Sequence, residues 1–305
     1  MSPNVAASVH QRLLNLAHAE GHSFNALLQH YALERFLYRL GLSPYAERFV
    51  LKGALMFKVW QGRFSRPTRD IDLLGQLDNS VETITSVMKA LCKQAVPVQD
   101  GLDFLADTVQ SAVITEAAQY TGVRSQFLAT LGRSKIRMTI DVGFGDAVVP
   151  DPIVVHFPTL LEFPPPVIHG YSRESAIAEK LQAMVYLGTI NSRMKDFYDI
   201  WSLAIHSDFD GQTLAQAIRE TFRRRQTALH PPIPALTQAF ADQSDKQAQW
   251  RAFVRRHALS DDAPAFESAL ERLRAFLVPV VETLAAGNVF DRYWPPGSPW
   301  QSASQ

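Results

Sequence analysis

Asp70 and Asp72 stand in the segment Arg69-Asp70-Ile71-Asp72-Leu73-Leu74-Gly75, separated by one apolar residue. In an extended strand, side chains two apart share a face. The two carboxylates would then lie side by side, with Ile71 and Leu73 turned to a core. Adjacent carboxylates repel unless a cation joins them, and an oxygen-seeking divalent ion such as Mg²⁺ suits such a pair. A bare Asp-x-Asp is common and is by itself no more than a solvated strand end, so its surroundings must decide. Upstream, Gly53 and Ala54 open a short helical stretch. Backbone N–H groups at a helix start suit a phosphate oxygen, and glycine lets the backbone come close. Lys52 precedes that glycine, and the polar loop after the helix carries Arg63, Arg66 and Arg69. Lys52, Arg66 and Arg69 are candidate nucleotide contacts, although the two arginines would also balance the acid pair.

A glycine-started helix, a loop and a strand bearing two carboxylates make an arrangement for handling a nucleoside triphosphate. The acids would hold Mg²⁺ on the triphosphate, neutralise its charge and orient the α-phosphate for in-line attack. No GxxxxGK[ST] pattern occurs in the chain, so this is not a Walker P-loop. A third carboxylate comes from a clear strand. Ile136, Met138, Ile140 and Val142 alternate with Lys135, Arg137, Thr139 and Asp141, which places Asp141 on the polar side near the strand end. It is a candidate metal ligand, and a surface aspartate ending a strand is an equal alternative. Asp146, among turn residues after Gly143 and Gly145, is read as structural.

The elements that must position these groups follow from periodicity. Val5, Val9, Leu13, Leu16 and Ala17 predict a helix stopped at Gly21. A second helix is expected from Ser23 to Leu40, the pair forming a cover on a central sheet. A helix over Ser80 to Cys92 follows, then strand character at 104–105 and 109–114 and a strand from Val123 to Leu131. The turn Gly132-Arg133-Ser134 joins that strand to the one carrying Asp141. One more strand is expected at Ile153 to Phe157, and Pro164-Pro165-Pro166 marks a boundary. Beyond it the pattern is helical: 176–187, 195–206, 214–225, 247–257 and 265–284, the last expected to bend at Pro279. The three arginines 223–225 read as a solvated helix end or a phosphate patch. The expected division is 1–165, N-terminal helices and core; 166–291, a helical domain; and 292–305, an irregular, flexible tail.

Composition narrows the classes. The chain has 305 residues, 47% of them hydrophobic, which is ordinary for a globular protein with a real core. Thirty basic and thirty acidic residues cancel, so a general nucleic-acid coater or membrane-surface binder is disfavoured, while a local basic patch is not. Cys92 is the single cysteine, which rules out an intramolecular disulfide and is expected to be a buried apolar residue. The N-terminal stretch lacks a secretory pattern and no run is long enough to span a bilayer. A cytoplasmic protein is the expectation.

Four segments, LKGALMFKVW…RPTRDIDLLG, IDVGFGD, ESAIAEKLQAMVYLG and NSRMKDFYDIWSL, resemble in that order the AbiEii/MenT nucleotidyltransferases. These are toxins of type IV toxin–antitoxin and phage-abortive systems within the DNA polymerase β-like superfamily. The resemblance spans about residues 35 to 205 and implies an α+β fold: a polymerase-β-like core with a mixed sheet, N-terminal helices and a helical C-terminal half. It implies Asp70 and Asp72 as metal ligands, Gly53 as the phosphate-loop glycine, Lys180 as a triphosphate contact and Asp196 as the residue completing the site, as the base near the attacking hydroxyl. Relatives carry Gly-Ser or Gly-Gly where this chain has Gly53-Ala54, which removes a hydroxyl and leaves the backbone donors. The implied activity is Mg²⁺-dependent transfer of a nucleoside monophosphate from an NTP to RNA, foremost a tRNA 3′ end, with a cognate antitoxin as partner. Two alternatives stand beside it: the same chemistry on a protein or small molecule, and a catalytically silent NTP-binding module. Without the resemblance, Lys180 would read as a surface lysine, and Asp196 and Asp199 as helix N-terminal charges.

Overall fold

The alternating segment around Ile136–Val142 is a strand of a seven-stranded mixed sheet in the computed structural model, which describes residues 5–62, 68–116, 120–259 and 263–302. The chain divides into two compact units. One comprises residues 1–145 with 152–171, the other residues 146–151 with 172–305. The first begins with α1 (Val5–Glu20), α2 (Phe24–Leu42), β1 (Phe49–Lys52), α3 (Leu55–Gln61), β2 (Ile71–Gly75) and α4 (Val81–Cys92). The strands β3 (Leu102–Glu116), β4 (Tyr120–Leu131), β5 (Ser134–Phe144), β6 (Ile153–His156) and β7 (Val167–Gly170) complete it. The sheet order is β3-β4-β5-β2-β1-β7-β6. β2 runs parallel to β5 and β1 parallel to β7, and the remaining neighbours are antiparallel. Parallel neighbours need a long connection, and between β2 and β5 the chain makes α4 and the β3-β4 hairpin.

The buried sides of these strands are the ones that hydrophobic alternation marks: Val123, Phe127, Ala129 and Leu131 on β4, with Ile136, Met138, Ile140 and Val142 on β5. β3 is one strand where two pieces were expected, because its pairing to β4 shifts register between Leu105 and Gln110 and so breaks the alternation. β7 was not anticipated, since four residues after a triple proline carry too little pattern. It pairs with β1 through Val50↔His169 and Leu51↔Gly170. Gly41 on α2 lies against it so closely that a Cβ there would come within 2.5 Å of the Val167 carbonyl oxygen.

α2 is not the one-sided cover that its pattern suggests. It lies against β5 and β7, and every residue from His30 to Leu40 is buried, Glu34, Arg35 and Arg39 among them. Buried charges require partners. Arg39 donates to both Asp100 oxygens at 2.7 and 3.0 Å and to the Leu102 carbonyl at 3.2 Å. Arg35 donates to the Pro164 carbonyl at 2.8 Å, and Glu34 accepts the Leu160 N–H at 2.8 Å. One helix thereby fixes both the entry to β3 and the loop before β7. Burial pushes Glu34 up to about 7, opposed chiefly by Arg35, and lowers Lys58 to about 8. Lys58 lies 2.8 Å from His30 Nε2.

The second unit contains α5 (Arg173–Leu187), α6 (Met194–His206), β8 (Phe209–Asp210), α7 (Gly211–Arg224), α8 (Gln238–Ala241), α9 (Ser244–Arg256), α10 (Phe266–Ala285), β9 (Arg292–Trp294) and β10 (Gln301–Ser302). α5 starts at Arg173 because Ser172 accepts the Ser175 N–H, and α7 starts at Gly211 because Asp210 accepts the Thr213 N–H. The stretch expected to be irregular carries regular structure over its described residues. Residues 292–302 supply two strands of a three-stranded sheet, order β10-β9-β8. Trp294 is fully buried and donates to the Ala204 carbonyl, and Trp300 donates to the Phe276 carbonyl, both at 2.8 Å. A Pro- and Ser-rich composition concealed two anchoring indoles.

Two stability outcomes follow from the α2 network. Asp100→Ala leaves Arg39 buried without its carboxylate and is expected to cost about 3–5 kcal/mol in urea unfolding. Glu34 has a raised pKa in the fold, so its contribution is fully present below about 4.5 and is lost as pH rises through about 7. The stability of wild type relative to Glu34→Gln is therefore expected to fall by on the order of 3 kcal/mol between pH 4.5 and 7.5. Paired urea titrations at the two pH values check it.

Candidate active site

Four neighbouring strands bring one charged residue each to the same face of the sheet. Lys52 on β1 is the register partner of Asp72 on β2, Asp72 of Asp141 on β5, and Asp141 of Arg124 on β4. Register partners point the same way, so the row reads plus, minus, minus, plus. The residues one step along, Leu51, Leu73, Val142 and Val123, are all buried and pin the register, because a one-residue slip would turn the charges into the core. Arg124 grips Asp141 with both arms of its guanidinium, Nε to Oδ1 at 2.7 Å and Nη2 to Oδ2 at 2.6 Å. Lys52 Nζ lies 5.2 Å from the Tyr171 ring centre.

Asp70 joins the two paired aspartates, although not by strand alternation. β2 begins at Ile71, so Asp70 sits in the bend just before it, where the Thr68 hydroxyl donates to its carboxylate. Asp70, Asp72 and Asp141 each offer an oxygen within 4.8 Å of the others. The structure thus brings Asp141 to the acid pair, where sequence left it open. Three hard oxygen donors at this spacing fit a divalent cation such as Mg²⁺, and clustered carboxylates this close favour one.

Gly53 has φ +72°, and a Cβ there would overlap the Asp72 carboxylate, lying 2.7 Å from its Cγ. Only glycine permits both the left-handed backbone and the carboxylate's approach. Its demand comes from Asp72 as well as from any phosphate. Ala54 is the N-cap of α3 and makes no side-chain cap bond. α3 ends where Gly62, also left-handed, donates its N–H to the Lys58 carbonyl. Arg69 is exposed, and its carbonyl accepts from Gln29 at 3.4 Å. Arg63 and Arg66 lie outside the described residues.

The second unit gathers the other predicted residues. Lys180 on α5 donates to Asp199 at 2.8 Å and to Asp196 at 3.2 Å, both aspartates being on α6 and essentially fully buried. Arg193, just before α6, lies 2.6 Å from the second Asp196 oxygen. Lys180 is therefore no solvated surface lysine; its side chain is 15% exposed. Beside it, Arg225 bridges Asp146 at 2.9 Å and Glu179 at 3.3 Å, with Gln182 at 3.0 Å. Of the three arginines read as a patch, Arg225 is thus built into a partly buried network, while Arg223 pairs with Glu220 on the surface.

The sequence reads Asp199 only as a helix charge and gives Arg124 no role. Asp199 follows Asp196 by three residues, hence shares its helix face, and that spacing beside a lysine was the available signal. Arg124 was reachable by counting. The turn pairs Leu131 with Ser134, and seven residues back and seven on are Arg124 and Asp141.

The model of the family described as nucleotidyl transferase AbiEii toxin, type IV TA system, matches residues 35–272, well over half of the chain. A crystallised H. pylori protein assigned as a nucleotidyltransferase is 15% identical with a TM-score of 0.50, covering 88% of this chain and 100% of its own. JHP933 from Helicobacter pylori is 16% identical, with a TM-score of 0.48 and coverage of 87% and 95%. At these identities the likeness concerns fold alone. No curated protein gives a match. Among the described residues no helix is long and apolar enough to cross a membrane. The chain belongs to the AbiEii family, the nucleotidyltransferase toxins of type IV toxin–antitoxin systems, and is an α+β nucleotidyltransferase.

Proposed function

We propose that this protein transfers a nucleoside monophosphate from an NTP to RNA, foremost a tRNA 3′ end, in a Mg²⁺-dependent reaction that releases pyrophosphate. As a toxin acting in the cytoplasm it would thereby halt translation until a cognate antitoxin restrains it, in a toxin–antitoxin or phage-defence setting. The observation that carries the reading is the convergence of Asp70, Asp72 and Asp141, which each offer an oxygen within 4.8 Å of the others. These three would hold Mg²⁺, which when bound neutralises triphosphate charge and polarises the α-phosphate.

The chain's own residues supply the remainder. Gly53 leaves room for the Asp72 carboxylate, and the backbone N–H groups at Gly53 and Ala54 are assigned to a phosphate oxygen. Lys52, Arg69 and Arg66 are assigned to the nucleotide, and Lys180 to the triphosphate. Asp199 and Asp196 hold the Lys180 ammonium in a fixed place. The acceptor hydroxyl attacks the α-phosphorus, and the bond to the bridging β-phosphate oxygen breaks. Asp196 is the family's candidate for taking the hydroxyl proton. Lys180 donates to one of its oxygens, and the other lies 2.6 Å from Arg193 Nε without accepting a hydrogen bond.

Incubation with each labelled NTP, Mg²⁺ and total RNA tests the reading: label is expected in RNA for at least one NTP, with pyrophosphate released. Asp72→Asn is expected to reduce labelling about a hundredfold or more. Absence of RNA labelling with every NTP, or full labelling by Asp72→Asn, sinks the idea, and label migrating with protein reassigns the acceptor. Gly53→Ala, which drives a methyl into Asp72 and strains a left-handed residue by roughly 1–2 kcal/mol, is expected to lower labelling at least ~10-fold while the protein stays folded by circular dichroism.

A further inference from the structure

Arg124 is the one member of the charged row to which neither the family nor the nucleotide chemistry assigns a task. Its guanidinium takes both oxygens of Asp141 at 2.6 and 2.7 Å. The same carboxylate is one of the three that a cation bound by Asp70, Asp72 and Asp141 would share, and the guanidinium already neutralises its charge. The arginine side chain is 43% exposed while that of Asp141 is 8% exposed, so the arginine is the partner with room to leave. A guanidinium and a divalent cation on the same carboxylate compete by like charge at close range.

Resting on the metal-site reading above, we propose that Arg124 is a positioning residue that keeps the acid triad from loading with a bare divalent cation. It holds Asp141 in its metal-facing place while substituting for the missing positive charge. A cation arriving alone must displace a bidentate ion pair. A cation arriving with a triphosphate brings negative charge that can take over the guanidinium as Asp141 is released. Arg124 then acts through Asp141, and bare-cation affinity is low by construction.

Mn²⁺ alone is the probe, its binding to the full chain followed by electron paramagnetic resonance with no nucleotide present, so the readout is independent of turnover. Arg124→Gln, which keeps a polar side chain without the charge, is expected to bind Mn²⁺ about tenfold more tightly than wild type. Arg124→Leu is expected to do the same, and Arg124→Lys, which retains the charge, to stay within about threefold of wild type. Adding a non-hydrolysable NTP analogue is expected to tighten Mn²⁺ binding in wild type by a larger factor than in Arg124→Gln. Unchanged or weakened Mn²⁺ binding in folded Arg124→Gln and Arg124→Leu overturns the role of Arg124 and leaves the metal site standing. Wild-type binding that Asp72→Asn does not diminish, or no binding by any variant, overturns the metal site and this inference with it.

Discussion

Three carboxylates within reach of one another are an unfavourable arrangement, and the first unit is built to sustain it. Asp72 and Asp141 are direct register partners on parallel strands, where repulsion would otherwise argue against pairing. Two features offset it. Leu51, Leu73, Val123 and Val142 bury themselves on the opposite face, making slippage more costly than repulsion. Arg124 and Lys52 flank the pair on the outer strands of the row. Fixing the register fixes the chemistry, because the same pairing that aligns the aliphatic core aligns the charges. Gly53 belongs to this constraint as much as to any phosphate, since a side chain there would expel Asp72.

The scaffold behind the row is held in a different way. α2 carries buried Glu34, Arg35 and Arg39 into the interior and ties them to Asp100, Pro164 and Leu160. Such pairs contribute little over apolar packing yet penalise any broken partner heavily. Their effect is to specify which loop meets which helix. β3 begins two residues after Asp100, and β4, which carries Arg124, is hairpinned to β3. The buried network therefore sets where the outer end of the charged row begins.

The fold was legible where a pattern was long and one face was apolar. α1, α4, α6 and the β4-β5 hairpin fall close to where periodicity placed them. It was illegible where burial was two-sided or the element short. α2 hid its buried ions inside a helical pattern, β7 offered four residues, and the tail's composition disguised Trp294 and Trp300. The acid pair and the glycine were visible because their residue types are restrictive. The place of Asp141 beside the pair became visible only with register, since a strand-end aspartate has no signature of its own. Arg124 and Asp199 show the same limit. Each is informative by what stands opposite, one across a hairpin and one across a helix pair.

The exact balance of thirty basic and thirty acidic residues gains a physical meaning from these placements. A nucleotidyltransferase would be expected to display positive charge toward its triphosphate. Here several cations at and beside the candidate site are committed within their own units. Lys180 is bonded to Asp196 and Asp199, Arg225 to Asp146 and Glu179, and Arg124 to Asp141. Pairing of this kind lowers long-range attraction for polyanions in general.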